Sequence, residues 1–444
     1  MRIGILLGLN PSDGGIYQYS LTMLHALREC KQSFPADEFL TFSSNSNHEL
    51  MESLRNEGWT IIPLLPATLK RRVMNLTERV LGSRPRQTIV SLRNRVSTQN
   101  TPTADSESVR YNAEMENWFR TNEIDLMIYP ISTSLSFEAK VPYIMAVHDL
   151  QHRLQPHFPE VSANGEWESR EYLFKNGIRN ATMILADSEV GKDDILNFYR
   201  EVVSDADRIK VLPLMPASTL APAVTAMDQR NTRRRYSLPE RYLFYPAQFW
   251  PHKNHRRIIE ALGVLRQRED LEIPVVFCGA HSGKIREETF NEIMSVAAEL
   301  DVAKQIYYLG YVPDADMSAL YAGAVAMVMP TFFGPTNIPV LEAWKLNCPV
   351  ITSDIRGIRE QSRDAALLVA PDSVEAIAQG IHRMWTDEDL RQKLIENGRA
   401  RLQTFTPQDF RQRLMKILGE AKAIVQNEYL KPVSAISASP RPLR

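Results

Sequence analysis

RYLFYPAQFWPHKNHRRIIEAL, residues 241–262, places a short apolar run, Tyr242–Tyr245, ahead of a polar loop. A segment with Ile258, Ile259 and Leu262 at helical spacing follows, extended by Leu265. An unbroken apolar run without alternation reads as a strand covered on both faces, and the loop and amphipathic segment complete a strand–loop–helix unit. The unit recurs in both directions. Towards the C-terminus, apolar runs lie at Pro274–Cys278, Ile306–Leu309, Val325–Met329 and Val350–Thr352. Towards the N-terminus they lie at Ile3–Leu9, Trp59–Leu64, Ile124–Tyr129, Tyr143–Val147, Thr182–Ala186 and Ile209–Leu212. Strands alternating with helical segments predict an α/β chain, and two such series predict two parallel sheets.

Between the series, LPLMPASTLAPAVTAMDQRNTRRRYSLPE (residues 212–240) carries Pro213, Pro216, Pro222 and Pro239 with little periodicity. The domain junction is expected there. The division is a first domain over 1–215, a linker over 216–237 and a second domain over 238–405. Phe410, Leu414, Ile417, Leu418, Ala421 and Ile424 predict a last helix over 406–427 that packs back across the domains, and 428–444 reads as a flexible tail.

The chain has 444 residues, 44% of them apolar, with 19 Gly and 27 Pro, which is enough for two or three ordinary cores and excludes a disordered regulator. Lys+Arg 52 against Asp+Glu 53 leaves a formal charge of -1, so there is no global electrostatic case for a nucleic-acid binder. Cys30, Cys278 and Cys348 are far apart and lack metal-ligand spacing, which fits a reducing cytoplasm. Ile3–Leu9 reads as a strand rather than a signal peptide, and no stretch approaches the roughly 18 to 20 apolar residues of a membrane span. Lys70–Arg95 departs from the balance, with Lys70, Arg71, Arg72, Arg79, Arg84, Arg86, Arg93 and Arg95 against Glu78 alone. It reads either as a solvated insertion or as an interfacial helix giving peripheral contact with an anionic membrane face.

Several loops follow strands in the positions where open parallel sheets bind ligands. Gly14 and Gly15 sit in NPSDGGIYQYSLTMLHAL (10–27), where a strand turns into a helix; glycines there admit an anion to backbone N–H groups, or simply make the turn. Lys253 follows the Tyr242–Tyr245 strand as a phosphate-pairing point charge or a surface lysine. In VAMVMPTFFGPTNIPVLEAWKLNCPV (325–350) a helix opens near Asn337, with Thr336, Asn337 and Ile338 supplying N–H groups and Glu342 lying about one turn inside. His148 follows the Tyr143–Val147 strand as either a structural hydrogen-bonding group or a site residue. Asp149, His152 and His157 near it do not match a common metal-ligand set. Asp187 and Ser188 read first as a helix cap.

YPAQFWPHKNHRRIIEAL (245–262), PTFFGPTNIPVLEAW (330–344) and VITSDIRGIREQSRDAALLVAPDSVEAIAQGI (350–381) resemble the retaining nucleotide-sugar glycosyltransferases with two Rossmann-like domains: the GT-B fold, family four, glycosyltransferase group 1. In the first domain the likeness rests on the Gly14–Gly15 loop, VPYIMAVHDLQHRLQPHFP (141–159) and ILADSEVGKDDI (184–195). The resemblance implies two domains facing across a cleft, with a nucleotide-diphosphate sugar held mainly by the second and a saccharide or lipid-linked saccharide acceptor mainly by the first. It implies no metal or other cofactor. Lys253 would hold the donor phosphates, Glu342 the ribose hydroxyls, and His148 the donor sugar. Gly14, Gly15, Gln248, Gly334, Thr336, Asn337, Ile338 and Pro339 would complete the donor site, with Tyr17 and Asp149 on the acceptor side. Two positions depart from the family pattern: Gly334 stands where the first of two glutamates is usual, and Gln248 where an arginine is usual. A non-catalytic nucleotide-sugar binder and a GT-B epimerase or phosphorylase are the competing readings.

Overall fold

The computed structural model describes residues 1–8, 14–43, 49–64, 108–220 and 223–429. The Lys70–Arg95 segment and residues 430–444 of the tail lie outside them. Among the described residues thirteen strands form two sheets. The first contains β1 (Arg2–Leu6), β2 (Glu38–Ser43), β3 (Thr60–Pro63), β4 (Leu126–Tyr129), β5 (Tyr143–Val147), β6 (Met183–Ala186) and β7 (Ile209–Val211). The second contains β8 (Leu243–Pro246), β9 (Val275–Cys278), β10 (Ile306–Tyr308), β11 (Ala326–Met329), β12 (Val350–Ser353) and β13 (Leu367–Val369). The 7-stranded sheet has the order β3-β2-β1-β4-β5-β6-β7 and the 6-stranded sheet the order β10-β9-β8-β11-β12-β13. Every pairing is parallel.

Strand order reverses between β1 and β4 in one sheet and between β8 and β11 in the other. Chain leaving the carboxyl ends at those points diverges to opposite faces and leaves a crevice, which is where such sheets take ligands. The two crevices carry the Gly14–Gly15 turn and the Lys253 turn. The runs MILA of β6 and AMVM of β11 are buried through their strand lengths, as helix-covered sheets require.

Two strands escaped the periodicity reading. β2 (EFLTFS) mixes Thr41 and Ser43 among apolar residues, and β13 is a three-residue edge strand. Both are held by pairing to a neighbour, β2 between β1 and β3 and β13 against β12. The junction also contains more order than its prolines indicate. Thr225 and Asp228 form a reciprocal cap on a helix over Ala226–Arg235, which is fixed to the second lobe where Arg235 Nη1 and Tyr236 Oη donate to Asp316 at 2.6 and 2.8 Å. Lys345 Nζ donates to the carbonyls of Ala217 and Leu220 at 3.1 and 3.0 Å, pinning the connecting strap.

The last helix, Pro407–Tyr429, returns to the first lobe and lies along the helix Gly15–Cys30. Phe410, Leu414, Leu418 and Ala421 are buried there. Ion pairs Lys422–Asp37, Arg411–Glu29 and Lys210–Glu420 hold it. Asp37 also accepts the N-terminal ammonium at 2.8 Å. The chain therefore crosses between the lobes twice. A cavity of about 350 Å³, lined in part by Thr22, His25, Met215, Phe405 and Phe410, lies beside these crossings.

Candidate functional site

The carboxyl ends of the two sheets face each other, and several contacts join them. Gln155 Nε2 donates to Phe332 O at 2.8 Å, and the rings of Phe158 and Phe332 meet at 5.7 Å. Glu160 Oε1 accepts from the backbone N–H and Nδ1 of His252 at 3.2 and 2.7 Å. Glu360 of the second lobe caps the helix Glu189–Tyr199 of the first, accepting from Glu189 N at 3.0 Å and Val190 N at 2.9 Å. Arg356 Nη1 reaches Asp194 at 3.0 Å.

Lys253 ends the short turn Pro251–Lys253 after β8. The turn is rigid because Tyr245 Oη donates to the Lys253 carbonyl at 2.8 Å and Phe332 N donates to the His252 carbonyl at 2.8 Å. Asn254, at φ 61, ends the turn and sends Nδ2 to the carbonyls of Pro330 and Pro371, both at 2.7 Å. Burial lowers the Lys253 ammonium to about 8, against the pull of Asp149 and Glu160 from the other lobe. Its side chain makes no ion pair among the described residues, so a half-buried positive charge stands at the switch point. Glu160, His252 and Tyr245 were not visible as site residues in the sequence. Glu160 stands one residue beyond the quoted HFP, but nothing there indicates that it crosses the gap.

The Gly14–Gly15 turn closes the first-lobe side. Gly14 has φ 59, and a Cβ on it would lie 3.9 Å from Gln248 Nε2; a Cβ on Gly15 would lie 3.6 Å from Ile338 Cδ1. This brings the starts of the helices Gly15–Cys30 and Ile338–Lys345 to the same gap. Tyr17, one turn further, is half-buried, and burial together with nearby Asp314 and Tyr311 raises its pKa. It therefore faces the loop after β10.

Glu342 lies inside the helix Ile338–Lys345 and accepts from Tyr321 Oη at 2.8 Å. Burial raises it to about 7; the Tyr321 hydroxyl, Lys345 and the Ala217 amide act against this, while Asp314 adds to it. Ahead of it, the loop differs from the sequence reading in one respect. The Asn337 N–H, counted among the amides available to an anion, is taken by Gln361 Oε1 at 3.0 Å, and Gln361 Nε2 returns to the Asn337 carbonyl at 2.9 Å. Pro339 has no N–H to offer. Thr336 Oγ1 and Asn337 Nδ2 are buried without a partner among the described residues. Gly334 has φ 144, and a Cβ there would lie 2.4 Å from Asn337 Nδ2. A side chain on this backbone would be strained and would press on Asn337, so the glycine is part of the loop's geometry and not merely a deleted carboxylate.

His148, at the end of β5, has both ring nitrogens engaged within its own lobe. Nε2 lies 2.8 Å from the Pro130 carbonyl after β4, and Nδ1 lies 3.1 Å from both oxygens of Asp187 after β6. A carbonyl only accepts, so Nε2 carries a proton, and the carboxylate favours a second on Nδ1. Burial works against that charge, but Asp187 and Pro130 outweigh it and raise His148 to about 9. The edge of Tyr19 packs on the ring at 4.7 Å. Asp187 is thus the partner of His148, while Ser188 alone caps the next helix through Gly191 N at 3.0 Å. Asp149 accepts from Gln151 N at 3.0 Å and Arg170 Nη1 at 3.3 Å. His152 is a core residue bound to Glu171 at 2.8 Å.

Residues 228–401 match the family model of glycosyl transferases group 1. O-antigen chain mannosyltransferase B of Escherichia coli is 26% identical over 250 residues, covering 56% of this chain and 63% of that protein. D-inositol 3-phosphate glycosyltransferase of Salinispora arenicola is 27% identical over 258 residues, covering 55% and 56%. The chain thus spans less than two thirds of the length of these curated relatives. Among solved structures, sucrose-phosphate synthase of Thermosynechococcus elongatus superposes with a TM-score of 0.67 at 16% identity, covering 96% of this chain and all of that one. Alr3699/HepE of Anabaena, in complex with UDP and glucose, gives 0.64 at 14% identity, covering 94% and 99%. No helix among the described residues is long and apolar enough to cross a membrane. The chain has the two-lobed GT-B fold, and its second lobe matches the glycosyl transferases group 1.

Proposed function

We propose that this chain moves a hexosyl group from a nucleotide-diphosphate sugar, such as GDP-mannose or a UDP-sugar, to a saccharide or lipid-linked saccharide acceptor, with retention at the anomeric carbon. The observation that carries the reading is Lys253: a half-buried ammonium at the β8 switch point, without an ion pair among the described residues, within electrostatic reach of Asp149 and Glu160 of the first lobe. In the transfer, the bond from the anomeric carbon to a phosphate oxygen breaks and the diphosphate takes up the electron pair. Lys253 and the N–H groups at the helix starts stabilise that growing negative charge. The acceptor hydroxyl attacks from the face the diphosphate leaves, and a leaving phosphate oxygen takes its proton. No protein carboxylate has to act as nucleophile, unlike in retaining glycosidases, so the glycine at 334 is compatible with catalysis. Glu342 would hold the ribose hydroxyls. The side-chain cation makes a metal unnecessary in this reading, and transfer should persist in excess EDTA.

The names of the relatives support a mannosyl or related hexosyl donor, and the O-antigen enzyme supports a saccharide acceptor. The test is a panel of nucleotide sugars and acceptors, followed by release of free nucleoside diphosphate and the anomeric configuration of the product. Release with a retained configuration is expected. Binding of a donor without release under any acceptor would instead make the chain a non-catalytic binder, and sugar isomerisation or phosphate dependence would make it an epimerase or phosphorylase.

A further inference from the structure

The second lobe contains another cation that the sequence did not single out. Arg286 lies in the first turn of the helix Lys284–Glu299 after β9, yet its side chain reaches back to the loop after β8. The two loops are closely packed: Phe249 N donates to Ala280 O at 3.3 Å, and a Cβ on Gly279 would come within 2.4 Å of Ala247 O. Arg286 Nη1 donates to Gln248 Oε1 at 2.8 Å, and its guanidinium lies 4.7 Å from the ring centre of Trp250. Trp250 Nε1 donates to the same Gln248 oxygen at 3.0 Å. One amide therefore orients both the guanidinium and the indole it lies over.

The partners of Arg286 are uncharged. Several arginines of this lobe lie against carboxylates: Arg256 against Glu260 and Glu292, Arg266 against Asp301, Arg268 against Glu375, Arg359 against Asp354. Arg257 is held, like Arg286, by an amide and a ring, those of Asn254 and Phe332, but of the two only Arg286 is joined to Gln248, whose Nε2 approaches the Gly14 turn. Arg286 is immobilised by a neutral amide and an aromatic face, and no carboxylate among the described residues pairs with it. A guanidinium fixed in this way keeps its full charge and most of its five N–H donors. It does so where Gln248 Nε2 approaches the Gly14 turn across the gap, five residues from Lys253.

We propose that Arg286 is a second diphosphate-binding cation, presented to the donor by Gln248 and Trp250. Lys253 then acts as a point charge, and Arg286 as a planar fork suited to two phosphate oxygens. The proposal rests on the nucleotide-diphosphate donor reading given above, which it deepens by dividing the anion between two elements of the lobe.

Calorimetric titration of the full chain with UDP and GDP, and with UMP and GMP as controls, tests it on wild type, Arg286→Ala, Arg286→Lys, Gln248→Glu and Lys253→Ala. For whichever diphosphate binds wild type, Arg286→Ala should weaken binding about ten-fold or more, the scale of one lost charge-assisted contact, while the corresponding monophosphate changes much less. Arg286→Lys should recover part of the loss. Gln248→Glu keeps the guanidinium in place but sets a carboxylate against it, and should weaken the diphosphate selectively as well. Melting curves of each variant separate these effects from unfolding; should Arg286→Ala fail to fold, the Gln248→Glu result decides. Unchanged diphosphate affinity in Arg286→Ala, with a large loss in Lys253→Ala, overturns the role of Arg286 and leaves the donor reading standing. If neither diphosphate binds wild type, both fall together.

Discussion

The two faces that meet across the gap are both polar, but their charges are met differently. On the first lobe, His148 and Asp187 neutralise one another, Pro130 takes the remaining ring N–H, and Asp149 lies against Arg170. On the second lobe, Lys253 and Arg286 keep their charge without a carboxylate partner among the described residues, and Thr336 Oγ1 and Asn337 Nδ2 are buried unpartnered. Buried polar groups that complete their bonds internally are there to hold a shape, whereas those left incomplete are there to be completed by something else. Around His148 the first lobe is thus closed on itself, although Tyr19 Oη and Glu160 Oε2 are buried without a partner among the described residues. The second keeps two cations with no carboxylate against them among the described residues.

Breaking the second face should have the largest effect. Lys253→Ala is expected to lower transfer by about 100- to 1,000-fold, the scale of losing a main electrostatic stabiliser, with little change in melting temperature. Steady-state kinetics and a melting curve on the same sample check both halves. The equivalent break in the first face should appear in stability instead. Asp187→Asn leaves His148 buried without its counter-charge and should cost about 3 kcal/mol. Since His148 is raised to about 9 from an ordinary 6.5, the stabilisation it gains is complete below pH 6.5 and is lost as pH rises towards 9. The melting deficit of Asp187→Asn should therefore be larger at pH 6 than above pH 9.

A smaller effect concerns pH and the donor. In the proposed reaction Glu342 works ionised and Lys253 protonated; Glu342 is raised to about 7 and Lys253 lowered to about 8. Donor kcat/KM should rise through the first value and fall through the second, giving a narrow bell, and Glu342→Gln should remove the acidic limb alone. The smallest change is Gly334→Ala, which forces a side chain onto φ 144 and into Asn337, for about 1 to 3 kcal/mol of local strain. By the same geometry, Gly334→Glu should lower activity although it restores the residue usual in the family. A gain in rate from that variant would show that the loop tolerates the carboxylate after all.

The strand ends were legible because burial on both faces leaves unbroken apolar runs, and the Lys253 and Glu342 positions were legible because they stand at fixed offsets from such runs. What the sequence hid has a common physical character. Arg286, Glu160 and Gln361 act through contacts with residues distant in the chain, and no local period encodes a guanidinium reaching from the loop after β9 to the loop after β8. The Asn337 amide was misjudged for the same reason, since only the fold brings Gln361 to it. Likewise β2 and β13 are strands by virtue of their neighbours, their own residues being too mixed or too few.

The double crossing between the lobes bears on how the gap between them opens. A single flexible tether would let the halves tumble independently, but two straps lying side by side act like the spine of a book and favour opening about one axis. Glu360 on the helix Glu189–Tyr199, and Glu160 on His252, would then act as the clasp on the free edge. The void beside Phe405 and Phe410 gives the spine room to flex.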